Sequence, residues 1–91
     1  MSLHLRKRSL ILSGHDTSVA LEQEFWQVLE EMAQATQQPL PALVAQVDSE
    51  RLPPHSLASA LRVHALNWLR KKVMERQEDT PPHTIQKNYD P

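Results

Sequence analysis

The sequence predicts a mainly α-helical fold organised around one short β-ribbon, and three observations carry that expectation. The hydrophobic period changes at Leu21: Thr17, Val19 and Leu21 alternate with Asp16, Ser18 and Ala20, as a half-buried strand requires. Leu21, Phe25, Val28, Leu29 and Met32 then follow one stripe of a helix with a 3.6-residue turn. A strand running straight into a helix leaves backbone donors and acceptors to be met elsewhere, which points to a second copy of the chain. The third observation is size: with 91 residues and no cysteine, a small core must be supplemented by something other than disulfides, and oligomerisation is the remaining route.

Residues 1–8 read as a basic N-terminal arm, with Arg6, Lys7 and Arg8 and no acid. Ser9 to Leu12 read as a short first strand, followed by a turn at Ser13 to Asp16 that uses Gly14, the single glycine. A hairpin with the second strand is open to this segment. Its register is not decided, because Leu10 and Leu12 point one way and Ile11 the other, leaving either Arg6 and Arg8 or Lys7 and Ser9 on the exposed face.

A first helix is predicted over Glu22 to Thr36, with Glu22 and Glu24 in its first turn and Gln37, Gln38 and Pro39 ending it. Trp26, at the edge of its stripe, is read as a core residue. A second helix begins near Leu40 or Pro41, where proline suits a first turn, and runs through Leu43, Val44 and Val47 to Glu50. Pro53 and Pro54 then break the chain, and Ser56 is placed to cap a third helix from Leu57 to Gln77. Its apolar residues, Leu57, Ala58, Leu61, Ala65, Leu66, Trp68, Leu69 and Val73, cover so wide a face that more than one packing surface is expected. The domain thus spans residues 9–77, and residues 78–91, with Pro81, Pro82 and Pro91, read as a disordered tail.

Charge is segregated along the chain although the formal total is only −1. Residues 16–50 hold seven acidic side chains and no lysine or arginine, whereas residues 51–76 hold six basic side chains against Glu75. Ion pairing between subunits accounts for such a pattern without any ligand. No apolar run approaches the roughly 20 residues of a membrane span, and Leu10 to Leu12 is too short for a signal-peptide core. A cytoplasmic protein with no membrane partner is expected.

Catalysis and metal binding find little support. Ser13, His15 and Asp16 resemble a triad only in writing, since neighbours in one turn rarely align three side chains. The five histidines have no i, i+4 pair and no thiolate to join them, and no glycine-rich phosphate loop is present, so no metal or cofactor is expected and the protein is read as no enzyme.

A strand followed by two helices joined by a short turn resembles the ribbon-helix-helix fold. Arg8 and Ser9, Gly14 and His15, Thr17 to Val19, Leu21 and Glu22, and Phe25 and Trp26 resemble, more closely, a bacterial family of short ribbon-helix-helix proteins with an ascribed DNA-binding role. Leu57 to Val63 match the C-terminal motif of that family, and the resemblance spans about residues 6 to 70. It implies a homodimer, open to higher oligomers, with an extra N-terminal strand and an additional C-terminal helix, in which two copies of the Thr17 to Leu21 strand pair. The expected dimer interface is Thr17, Val19, Leu21, Phe25, Trp26 and Leu29.

The resemblance also implies a transcriptional regulator whose ribbon enters the major groove of double-stranded DNA. Ser18 and Ala20 would face the bases, with Arg6, Lys7, Arg8 and His15 toward phosphates. This sequence departs from the family at Asp16, often basic there, and at Ala20, commonly a hydroxyl. Ala20 can touch only a thymine methyl, and Asp16 accepts from cytosine but repels phosphate. Pro39 and Pro41 remove two backbone donors where the second helix would clamp a phosphate. The doubled basic arm compensates: six neutralised phosphates give a log–log salt slope of roughly −5. The competing expectation is a protein-interaction module, antitoxin-like or an adaptor, that docks a partner through the third helix and tail with Trp68, Val73, Met74, Ile85 and Tyr89.

Overall fold

The computed structural model describes residues 4–79. Two strands, β1 (Leu5–Leu12) and β2 (His15–Glu22), are followed by α1 (Gln23–Ala35), α2 (Leu40–Glu50) and α3 (Leu57–Asp79). β1 and β2 pair antiparallel over eight positions, from Leu5 opposite Glu22 to Leu12 opposite His15. Only Ser13 and Gly14 lie between the closing pair, and both have positive φ, 53° and 83°. Positive φ at both central residues is the signature of the type I′ turn, whose twist matches that of the flanking strands.

This hairpin corrects the expectation that the Thr17 to Leu21 strand finds its partner only in a second copy. Its partner is β1 of the same chain, because β1 begins at Leu5 and is long enough to match β2 residue for residue. The segment expected as an arm therefore contributes Leu5, Arg6, Lys7 and Arg8 to the sheet. Register is also settled: Leu10, Leu12, Val19 and Leu21 face inward and are at most 8% exposed, whereas Ile11 is 61% exposed on the other face.

α1 starts one residue later than expected, because Glu22 ends β2 and stands at the N-cap without a side-chain capping bond. The helix stops before Pro39 is reached. Gln37 takes φ 56° and donates its N–H to the Gln34 carbonyl, while the Gln38 N–H reaches the Ala33 carbonyl. These two bonds form a Schellman motif with glutamine where glycine is usual. Thr36 adds a side-chain bond to the Met32 carbonyl at 2.8 Å.

α2 has Pro41 in its first turn and buries Leu43, Val44 and Val47. Ser56 caps α3, its Oγ accepting from the Ser59 N–H at 3.1 Å. The core is one cluster in which the inward face of the hairpin, Trp26, Leu29, Met32 and Ala33 of α1, the α2 stripe, and Leu61 and Ala65 of α3 meet. The broad α3 face is only partly used: beyond Leu61 and Ala65, the side chains of Val63, Leu66, Leu69, Val73 and Met74 remain 38–58% exposed. The expected tail, with Ile85 and Tyr89, lies outside the described residues beyond Asp79.

Candidate nucleic-acid interface

Strand alternation divides the hairpin into two chemically different faces. On the inward face Leu10, Leu12, Val19 and Leu21 enter the core, while Arg6 and His15 at its two ends stay exposed. Between the terminal Leu5/Glu22 pair and the turn, the outward face carries three cross-strand rows: Lys7 beside Ala20, Ser9 beside Ser18, and Ile11 beside Asp16. All but the half-buried Ala20 are exposed. The hydroxyls of Ser9 and Ser18 lie 3.4 Å apart, close enough for a weak hydrogen bond across the strands. Lys7 has no ion-pair partner among the described residues, and neither edge of the hairpin has a further strand beside it there.

The three basic residues expected to act together are separated by the same alternation. Arg8 points inward, where its guanidinium stacks over the Trp26 ring at 4.7 Å and donates to Glu30 Oε2 at 2.6 Å. Arg6 is exposed at the start of β1, and its carbonyl accepts the Trp26 indole N–H at 2.8 Å. That bond explains how a tryptophan with no exposed surface keeps its one donor satisfied. Only Lys7 of the three shares the outward face with Ser18 and Ala20. His15 is exposed at the hairpin tip beside the turn.

The residues expected at a dimer interface are mostly spent inside the chain. Val19, Leu21, Trp26 and Leu29 are at most 5% exposed in the single chain, while Thr17 and Phe25 are half-buried. The covering surfaces are β1 and the three helices, whose contribution the sequence pattern did not reveal.

A second polar link ties the far end of β2 to α3. Arg62 places Nε and Nη2 each 3.0 Å from Glu22 Oε1, and its guanidinium lies 5.7 Å from the Phe25 ring centre. The hydrogen bond from the backbone at Glu22, followed after an opposing desolvation by Arg62, holds the Glu22 carboxyl below its ordinary value. The acidic segment and the basic helix thus pair within one subunit at this point.

The start of α2 offers little to an anion. Pro41 has no N–H, and the Ala42 and Leu43 N–H groups bond to the Pro39 carbonyl, leaving the Leu40 amide in the first turn. A hollow of about 330 Å³ between the end of α2 and α3 is lined by Glu50, Arg51, Leu52, His55 and Val63 among others. Arg51 there bonds to Asp48 and to the His55 carbonyl, so its charge is already engaged. Ser13, His15 and Asp16 do not converge, since His15 and Asp16 are successive strand residues on opposite faces. No cluster of three potential metal ligands occurs among the described residues, and no helix there is long and apolar enough to cross a membrane.

A family model described as the ribbon-helix-helix domain matches residues 5–69. Among solved structures, the chain is similar to an uncharacterized protein from Bordetella pertussis Tohama I, with 32% identity and a TM-score of 0.60. That similarity covers 88% of this chain and 65% of the other, so the match spans just under two thirds of the relative's length. No curated protein matches. The matched segment contains the hairpin, α1, α2 and the core-packed half of α3, and the chain belongs to the ribbon-helix-helix domain family.

Proposed function

We propose that this protein is a dimeric DNA-binding regulator of transcription in the cytoplasm of a bacterium, presenting the outward face of its hairpin to the major groove of double-stranded DNA. One observation carries the reading: a sheet that buries Leu10, Leu12, Val19 and Leu21 of one face in the core exposes Lys7, Ser9 and Ser18 on the opposite face. Proteins of this family are typically DNA-binding and dimeric. A two-stranded ribbon fits a groove about 12 Å wide, and hydroxyl and ammonium groups are donors that base edges and phosphates accept. Lys7 supplies the phosphate attraction from the outward face, and Arg6 and His15, exposed at the two ends of the hairpin, add to it from its margins. Neither catalysis nor a cofactor enters this function.

Fluorescence anisotropy with genomic duplex fragments at low salt tests it, alongside sedimentation of the free protein. Salt-sensitive binding by a dimer is expected. A monomer at micromolar concentration, or no binding below about 50 mM salt, overturns it.

A second reading rests on α3. Leu66, Leu69 and Val73 form an exposed row at i, i+3 and i+7, with Arg70 beside it, which suits an amphipathic helix of a partner protein bearing acidic flanks. In that case the module acts through the third helix. Pull-down with the full chain and with Leu69→Asp and Val73→Asp variants separates the readings, because these substitutions remove partner capture and leave DNA binding unchanged.

A further inference from the structure

Of the seven large apolar side chains exposed among the described residues, all but Ile11 lie on α3 or, as Leu52 does, at the hollow beside it. Resting on the second reading above, that α3 is an interaction surface, we propose that its occupant is a second copy of the chain, with the two α3 helices packed antiparallel.

Leu61 and Ala65, with the half-buried Trp68, turn one side of α3 to the core. On the side away from it, Val63, Leu66, Arg70 and Val73 follow one another in steps of three, four and three. That is the spacing of a seam along which one helix packs on another. Leu69 and Met74 flank the seam, and the five apolar residues are 38–58% exposed. A shallow hollow of about 310 Å³ between Leu69, Arg70, Val73 and Met74 has the four-residue outline into which one side chain of a facing helix inserts.

The seam matches itself when the second helix runs the other way. With Leu66 set opposite the stem of the partner's Arg70, Leu66 fills the partner's hollow and Val63 meets the partner's Val73. The same register places Leu69 beside the partner's Leu69, Met74 beside the partner's Ala60, and Asn67 beside the partner's Asn67. Apolar groups thus meet apolar groups, and each amide meets an amide that can both donate and accept.

Charge selects the same direction. Lys72 is turned to the Trp68 ring, 4.9 Å away, and Arg62 is held by Glu22 at 3.0 Å, which leaves Arg70 as the one cation within the seam. Parallel helices would stack both Arg70 side chains in one layer and align the two basic runs at 70–76. Antiparallel helices offset the two Arg70 by four residues, about 6 Å along the axis. Each basic end then passes the partner's residues 60–66, where the single lysine or arginine is the paired Arg62. The five side chains offer on the order of 400 Å² of apolar surface per copy, comparable with the largest patch a single soluble chain leaves open. Closed on a second copy, with the stems of Arg70 and Asn67, the seam reaches the roughly 1,000 Å² that a stable interface needs.

The chain has no cysteine, so introduced single cysteines report the register. Full-length Val63→Cys and Val73→Cys, both at exposed positions, are expressed singly and together and treated with a short bismaleimide. The cross-linked pair should be about fivefold more abundant when the two are together, because like positions lie about 15 Å apart in the antiparallel register. In sedimentation equilibrium, Leu66→Asp should raise the dissociation constant about tenfold or more, with circular dichroism verifying its fold. Arg70→Leu should lower that constant, and the wild-type value should not rise between about 50 and 500 mM salt, opposite to the salt response of DNA or of an acidic partner. Efficient cross-linking of either variant alone, no cross-link in the mixture, or a Leu66→Asp constant within about twofold of wild type overturns self-pairing. If Leu69→Asp and Val73→Asp nevertheless abolish capture of a different protein, α3 remains an interaction surface with another occupant. If nothing is captured either, the α3 reading falls as well.

Discussion

Arg6, Lys7 and Arg8 are adjacent in sequence, yet the sheet gives them three different situations, and salt dependence of DNA binding reads the difference. Arg8 is held by Glu30 and by the Trp26 ring, with the paired side chains 35% and 49% exposed. With Arg8 engaged, a dimer offers Arg6 and Lys7 from each copy. Four neutralised phosphates give a log–log slope of about −3.6, shallower than the roughly −5 expected from the sequence, and a loss of about 150-fold in affinity between 50 and 200 mM salt. Lys7→Ala removes two contacts per dimer and brings the slope to about −1.8, or roughly 12-fold over the same interval. Arg8→Ala leaves the slope at about −3.6 and acts on folding instead. Its half-exposed ion pair contributes at most about 1 kcal/mol after solvent screening, and its stacking on Trp26 about 0.5–1 kcal/mol. Thermal unfolding of Arg8→Ala should accordingly fall by several degrees, at about 4–8 °C per kcal/mol for a chain this size. Anisotropy titrations at four salt concentrations, with calorimetry on the same samples, supply both numbers. A wild-type slope near −5 that Arg8→Ala reduces by about 2 would refute the reasoning, since Arg8 would then leave Glu30 for phosphate.

Other residues give simpler expectations. Gln37→Gly places the residue best suited to positive φ in the Schellman position and should raise stability by about 0.5–1 kcal/mol in urea unfolding. Leu61→Ala, at a site with no exposed surface, should cost about 3 kcal/mol, whereas Leu66→Ala, 53% exposed, should change the stability of the single chain by less than about 0.5 kcal/mol. Glu22, with a carboxyl lowered by its backbone hydrogen bond and then by Arg62, adds stability that is complete above the ordinary glutamate value of 4.5 and lost as pH falls through the lower folded value. Glu22→Gln should therefore flatten the stability profile below about pH 4.5, and a carboxyl titration by NMR that shows Glu22 at or above the ordinary value contradicts it.

The helices were legible because their signals are local. Periodicity set α1 and α2 to within a residue or two, Ser56 announced the start of α3, and the change of rhythm at Leu21 located the strand-to-helix junction. The hairpin was less legible. Ser13-Gly14 lacks the asparagine or aspartate that usually precedes glycine in a type I′ turn, and three consecutive apolar residues at Leu10 to Leu12 hide the alternation until one face is known to be buried. Arg6 to Arg8 looked like a solvated arm because a strand containing three cations has weak β-propensity. What holds it in the sheet is tertiary: Trp26 takes a backbone carbonyl at Arg6 and a guanidinium at Arg8. No sequence spacing announces a contact between residues 6 and 26, nor the link from Glu22 to Arg62 across 40 positions.

These long-range contacts alter the logic of the candidate site as well as the fold. When β2 has no partner of its own, a second copy is a structural necessity and the reading surface must be shared between subunits. With β1 paired along its full length, one chain already holds a two-stranded ribbon with one core-facing and one exposed side, its outer edges still open. On the proposed function, dimerisation would then serve affinity rather than the pairing of β2: doubling the phosphate contacts would multiply the electrostatic attraction, and two hairpins would read two half-sites. It follows that separating the subunits should leave the far-ultraviolet signature of the fold in place while DNA affinity collapses. A dimer held by its ribbon would lose both together. Far-ultraviolet circular dichroism and anisotropy on one dilution series therefore show which role the second copy has.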